Sequence, residues 1–273
     1  MDASSPQTVG LPMYDPPELH ASVDAWWHGL ARAIRAEGVA NVPDELDRGP
    51  SLDALWGAPN LLFTQTCGYT LTGAWASRLQ YVATPRHAAA GCDGSTYCSW
   101  IVVAADSPAN GLEYLRGARC SINGRDSHSG YNALRALIAP LARDGRFFGS
   151  VSESGGHAES LAQLGRGEVD VAAIDCVTHA LLSRCRPNAI AATRIIGRTA
   201  QVPGLPYATR FDASPDLVRK LRTALARAIR DPELHAVRAE LLITGVDVLP
   251  TGSYACIAQM EAQAKRQGYF ELD

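Results

Sequence analysis

Two rhythms of apolar residues alternate along this chain. Short continuous apolar runs predict buried strands, and stripes spaced by three or four residues predict helices. Val9–Tyr14 reads as a short strand that turns at Asp15-Pro-Pro17. Val23, Trp26, Trp27, Leu30 and Ile34 then form a helical stripe, with Gly38 as its stop. Ser51 is placed to cap a short helix through Leu55, and Leu61–Phe63 is a second strand. Leu79–Ala83 and the long β-rich run Tyr97–Ala105 follow. Arg119–Asn123 is another strand, then comes a helix with Tyr131, Leu134, Leu137, Ile138 and Leu141 on one side. Phe147 and Phe148 open a strand toward Val151, and Ile190–Ile196 reads as a further strand. Val169–Ile174 is nearly all apolar, as a parallel strand covered on both faces should be. Ser214-Pro-Asp216 is a cap followed by proline at the first helical position, and Leu217, Leu221, Leu225 and Ile229 carry that helix on. Asp231-Pro-Glu233 opens another helix in the same way, with Gly245 as its expected stop, and Tyr254–Gln267 forms the last. Strands alternating with helices give an α/β fold with mainly parallel sheets.

The joint between strand and helix at residues 121–135 carries the chemistry. Ser127, His128, Ser129, Gly130 and Tyr131 sit where a strand gives way to a helix N-terminus. Backbone N–H groups there point at one spot, the helix dipole favours negative charge, and the hydroxyls add donors. The expected ligand is therefore a small oxyanion. Asp126 complicates this, because a carboxylate beside an anion is repulsive unless it faces away or accepts a proton from the ligand.

Length and charge narrow the field. At 273 residues and 47% hydrophobic, the chain can bury a core in one large domain or two lobes. It has 25 basic and 28 acidic residues and no basic stripe, so nucleic acid is excluded as a partner and an anion must be held by local donors. No run approaches the ~20 apolar residues of a membrane span, so direct membrane insertion is not expected. Met1–Val9 lacks the basic and apolar stretches of a signal peptide. The seven scattered cysteines suggest reduced thiols; Cys92 and Cys98 are the only close pair, and a bond between them stays open. No zinc spacing, P-loop or Gly-x-Ser-x-Gly elbow is present, so neither metal nor cofactor is expected.

Four segments stand in an order that resembles a known family. Thr66–Tyr69 follows the run Leu61–Phe63; the serine loop at 127–130 comes next; Ser154-Gly-Gly-His157 opens another helix; and Gly165-Arg-Gly-Glu-Val-Asp-Val-Ala-Ala-Ile-Asp175 closes the set. This order resembles the substrate-binding proteins of phosphate, phosphite and phosphonate ABC transporters, over residues 8–265. The resemblance implies a two-lobed periplasmic-binding-protein fold of type 2, with a ligand cleft between the lobes. It places lobe one at 1–100 plus 204–273 and the inserted lobe two at 101–203, with crossings near Ser99–Val103 and Arg198–Pro206. It implies ligand contacts from Ser127, Ser129 and His157, with Gly156 where the family has serine. It gives Asp175 either as the cap of the next helix or as a specificity group for a ligand's ammonium. Tyr14, Thr66 and Tyr69, with the Gly68 backbone, are the candidates from lobe one, and Tyr97 is a weaker one.

The implied function is capture of a phosphonate or phosphate-like compound for transport or sensing, without catalysis, with a transporter's membrane subunits or a sensor as partner. The alternative is a cytoplasmic enzyme on the same fold, of the menaquinone or thiamin-pyrimidine biosynthesis type, with Cys67, His157 and Asp175 as nucleophile, base and orienter. Compartment stays open: resemblance implies the periplasm, whereas the N-terminal residues and the odd thiol count point to the cytoplasm.

Overall fold

A computed structural model describes residues 7–272 of the chain. The chain packs into two compact units, one built from the chain up to Ala88 with Pro203–Thr251, the other from Ala89–Val202 with Gly252 onward.

The first unit is built on a five-stranded sheet ordered Thr8–Gly10, Leu61–Gln65, Tyr207–Arg210, Leu79–His87, Ile243–Asp247. Thr8–Gly10 and Leu61–Gln65 are parallel. Tyr207–Arg210 inserts antiparallel between Leu61–Gln65 and Leu79–His87, and Ile243–Asp247 pairs antiparallel at the edge. The helices His20–Ala36 and Pro215–Arg230 are amphipathic and bury Trp26, Trp27, Leu30, Ile34, Leu221 and Leu225. Trp27 stacks on Phe63 at 6.2 Å, and Phe63 meets Tyr207 at 5.0 Å. Each such side chain, fully removed from water, contributes about 1.5–3 kcal/mol.

The second unit holds a five-stranded sheet ordered Ser150–Glu153, Arg119–Ile122, Val171–Asp175, Ser99–Ala104, Thr193–Arg198. Its first three strands are mutually parallel, and the last two run antiparallel to their neighbours. Both faces are covered. Val171 and Ala173 enter a cluster with Ile122, Leu134, Ile138 and Phe147, while Ala172 and Ile174 enter another with Leu161, Leu164 and Leu182. That two-sided burial is why the segment reads as an unbroken apolar run.

Several expectations shift. The α/β class is as expected, but the sheets are mixed rather than mainly parallel, because Tyr207–Arg210, Ile243–Asp247, Ser99–Ala104 and Thr193–Arg198 all pair antiparallel. The helix begun at Asp231 ends at Glu240; Leu242 turns at φ 61°, and Ile243–Asp247 is a strand across Gly245. Phe147 and Phe148 pack in the core ahead of a strand that starts at Ser150. Ile190 lies in the helix Pro187–Ala191, and the strand begins at Thr193.

The packing units also differ from the expected lobes. The first boundary falls at 88/89 rather than 100/101, and the last 22 residues pack with the second unit. Asn132 Nδ2 donates to the Ile257 carbonyl at 3.1 Å, and Arg135 Nη1 donates to that of Phe270 at 2.8 Å. Tyr269 and Leu272 are fully buried in that unit's core. An apolar helical stripe states that a helix is covered, not what covers it.

Candidate oxyanion site

The parallel strands Ser150–Glu153, Arg119–Ile122 and Val171–Asp175 lie side by side and point the same way. Each runs into a helix: at His157, His128 and Cys176 respectively. Three helix N-termini therefore gather at the carboxyl edge of one sheet, where α/β proteins collect their ligands. Positive dipole ends and exposed N–H groups at one edge make a field that favours an anion.

Ser127 is the cap of the middle helix, and its Oγ accepts from Gly130 N at 3.2 Å. The first turn, His128–Asn132, is a π turn, with Asn132 N donating to the Ser127 carbonyl at 3.0 Å before the regular helix Ala133–Ile138 begins. Such turns recur at functional sites. Ser129 Oγ lies 2.8 Å from His157 Nε2 and 3.4 Å from Ser127 Oγ, so hydroxyls from one helix start meet an imidazole from the next. A Cβ on Gly130 would stand 1.9 Å from Asn123 Oδ1, so a larger residue here would displace the Asn123 side chain.

The other candidates take more structural places. His128 is 1% exposed, with its ring 6.4 Å from that of buried Tyr97 and Nδ1 3.2 Å from Asn132 Nδ2; burial excludes a solvent-facing ring. Tyr131 is buried in the core cluster, and the guanidinium carbons of Arg135 and Arg125 lie 5.1 and 5.9 Å from its ring centre, so the ring is a packing element. Asp126 is exposed on the turn and leaves the capping to Ser127. Asp175 Oδ1 accepts from Val177 N at 2.7 Å and Thr178 N at 2.9 Å, the capping geometry. With His157 engaged by Ser129 and Asp175 by its own helix, the geometry of this unit resembles an anion site more than a nucleophile relay.

In the first unit, Tyr14 and Thr66–Tyr69 follow the two parallel strands Thr8–Gly10 and Leu61–Gln65, so they too share a carboxyl edge. Tyr14 ends a 3-10 turn and meets His87 edge-on at 5.2 Å. Thr66 is buried, with its N–H on the Pro206 carbonyl at 3.0 Å. Cys67 precedes the helix Gly68–Thr72, which places half-buried Tyr69 in its first turn.

Sequence reading missed the supports of the turn. Asn132 and Arg135 are buried, and Arg135 Nη2 donates to Asn132 Oδ1 at 2.9 Å. Polar residues three apart on an otherwise apolar helix face were the available signal. Ser160 Oγ lies 2.7 Å from Ser154 Oγ and 3.1 Å from Ser121 Oγ, tying the loop before His157 to the strand before Ser127. Among the described residues, no group of three or more His, Cys, Asp or Glu is placed to hold a metal ion.

Burial holds His157 and His87 neutral, each lowered to about 4, and His128 lowered to about 3. In the unfolded chain these imidazoles titrate near 6.5. As pH falls between those values, the unfolded state takes up protons that the folded state refuses, so stability falls with pH. Each imidazole adds a slope of up to about 1.4 kcal/mol per pH unit inside that window. Urea midpoints measured from pH 7 to pH 5 should decline, and the decline should be shallower in His128→Leu. A midpoint flat over that range would mean the rings are not held neutral.

No curated protein matches the sequence. Residues 61–249 match the family model described as ABC transporter, phosphonate, periplasmic substrate-binding protein. Among solved structures, a binding-protein component of an ABC phosphonate transporter from Pseudomonas aeruginosa is 16% identical at TM-score 0.77, over 97% of this chain and 88% of that one. PhnD1 from Prochlorococcus marinus, solved with methylphosphonate, is 12% identical at TM-score 0.74, over 95% and 98%. XAC2383 from Xanthomonas citri, solved bound to chloride, is 18% identical at TM-score 0.73, over 97% and 99%. At such identities these likenesses establish the fold, that of two-lobed periplasmic binding proteins. No helix among the described residues is long and apolar enough to cross a membrane. The family match spans more than half of the sequence, and by it this chain belongs to the phosphonate-binding family of ABC-transporter periplasmic substrate-binding proteins, which capture ligand rather than transform it.

Proposed function

We propose that this chain binds a small phosphonate or phosphate-like anion at the helix starts of its second unit, and that Ser127, Ser129 and His157 are the groups that hold it. The observation that carries this reading is the 2.8 Å contact of Ser129 Oγ with His157 Nε2 beside the Ser127 cap. In the tautomer with its proton on Nε2, neutral His157 would donate to Ser129 and leave the serine proton to be given onward to an oxyanion. Hydrogen bonds to a charged partner are the stronger kind, about 1.5–3 kcal/mol each. The methylphosphonate in the Prochlorococcus relative supports phosphonate as the ligand class.

Tyr14, Thr66 and Tyr69 are proposed as the contribution of the first unit, and Asp175 as a further contact. Delivery to the membrane subunits of a transporter, in the periplasm, is the role the family description supports.

The test is thermal unfolding of ligand-stripped protein in phosphate-free buffer. The panel holds phosphate, phosphite, alkyl- and aminoalkylphosphonates, sulfate and simple carboxylates. Ligand at about 100 times its Kd should stabilise by about 2.7 kcal/mol, a rise in Tm on the order of 5–10 °C for a chain of this size. A phosphonate-selective rise is the expected result. Stabilisation by carboxylates alone, or by no anion, would overturn the ligand class.

A further inference from the structure

Three of the seven cysteines converge within the second unit. Cys98 and Cys176 lie just beyond the paired residues Ser99 and Asp175, with Cys176 N donating to the Cys98 carbonyl at 3.1 Å. Cys92 arrives from a separate loop, and its Sγ lies 3.7 Å from Cys176 Sγ. The approach is built rather than incidental. Gly91 adopts φ +93°, and a Cβ there would stand 2.8 Å from Cys176 Cβ and 3.1 Å from Cys98 Sγ, so glycine is required for the loop to come this close. Gln201 Nε2 donates to the Gly91 carbonyl at 2.9 Å, and Thr96 Oγ1 donates to Gln201 Oε1 at 2.7 Å, which fixes the loop from its other side.

We propose that Cys92 and Cys176 are a redox-active pair that closes to a disulfide by exchange with a small-molecule disulfide. The sulfurs need to approach from 3.7 Å to about 2.05 Å. Cys92 is half-buried whereas Cys98 and Cys176 are buried, so an oxidant reaches Cys92 first. The contact with Cys176, and then burial, raise the Cys98 thiol; the contact with Cys92 and burial raise that of Cys176. Both buried thiols are thereby held protonated, and the more accessible Cys92 is the attacking thiol, reacting as thiolate.

The exchange balances in two steps. The Cys92 thiolate attacks one sulfur of the oxidant, forms a mixed disulfide and expels one thiolate. Cys176 gives up its proton, its sulfur attacks that of Cys92, and the second thiolate leaves. Two protein thiols are oxidised, one external disulfide is reduced to two thiols, and the protons end on those leaving groups. Such bonds persist in the oxidising compartment named in the family description. The closed bond would tie the loop at Cys92 to the first turn of the helix that Asp175 caps.

The experiment incubates fully reduced protein with glutathione disulfide, blocks remaining thiols with iodoacetamide, and maps the digest by mass spectrometry. The expected result is a peptide pair joined through Cys92 and Cys176, with five of the seven thiols still alkylated. The oxidised form should melt higher, by roughly 5–10 °C, because the bond closes a long loop. Cys92→Ala, on the half-exposed loop, should lose both the linked pair and the shift. Seven alkylated thiols, glutathione retained on Cys92, or a bond from Cys98 to either partner would each overturn the proposal.

Discussion

Ser127→Ala combined with Ser129→Ala should lower phosphonate affinity by about a hundredfold or more while the protein stays folded. Two charge-assisted hydrogen bonds are lost, at about 1.5–3 kcal/mol each, and every 1.4 kcal/mol is about tenfold in Kd. The stability cost is smaller and separable. Ser127 Oγ caps the helix through Gly130 N, and losing such a cap costs about 1 kcal/mol, a few degrees in Tm. Isothermal calorimetry at 25 °C, where both forms are folded, isolates the binding term. His157→Phe should give a partial loss, since it removes the partner of Ser129 but no cap. Unchanged affinity in the double variant would move the anion away from this turn.

Arg135→Met should destabilise the protein by about 2–5 kcal/mol, since it leaves two buried acceptors unpaired at about 1–3 kcal/mol each. The guanidinium is almost wholly buried, 2% exposed. It donates to the Phe270 carbonyl and to Asn132 Oδ1, lies 3.5 Å from a Glu261 carboxylate oxygen and covers the Tyr131 ring. Methionine fills the volume and leaves the Phe270 carbonyl and Asn132 Oδ1 without that donor, while Glu261 keeps Lys265 at 2.7 Å. Because Glu261 and Phe270 belong to the C-terminal stretch, hydrogen exchange there should accelerate along with that of the helix bearing Asn132. Arg135→Lys should recover part of the loss, as it restores charge without the planar fork. Urea unfolding of the three proteins gives the numbers, and a loss below about 1 kcal/mol would show that the network holds neither element.

The sequence by itself determined the elements whose causes are local. The stripe from Val23 to Ile34 lies within the helix His20–Ala36, and Ser214-Pro215 starts a helix where capping chemistry says it must. The same local logic marked the turn at Ser127, where hydroxyl, glycine and helix start are consecutive in the chain. The family was legible because its signature segments are short and contiguous, and they fall within or beside the match over 61–249.

Tertiary structure decided what depends on residues far apart in sequence. Tyr207–Arg210 becomes a central strand only because two distant strands flank it, and its four residues carry no strong pattern of their own. The last helix joins the second unit through contacts to Asn132 and Arg135, more than a hundred positions earlier. The sequence offered His128 and Tyr131 as ligand contacts and left Asp175 open between a cap and a contact. Two are turned inward by burial, and the third caps its own helix. The thiols of Cys92 and Cys176 are 84 positions apart and meet only because a loop and a strand end fold to one place. Spacing along a chain reports neighbours within a turn or a strand; which distant groups become neighbours is set by how the covered faces pack, and that information is spread over the whole sequence.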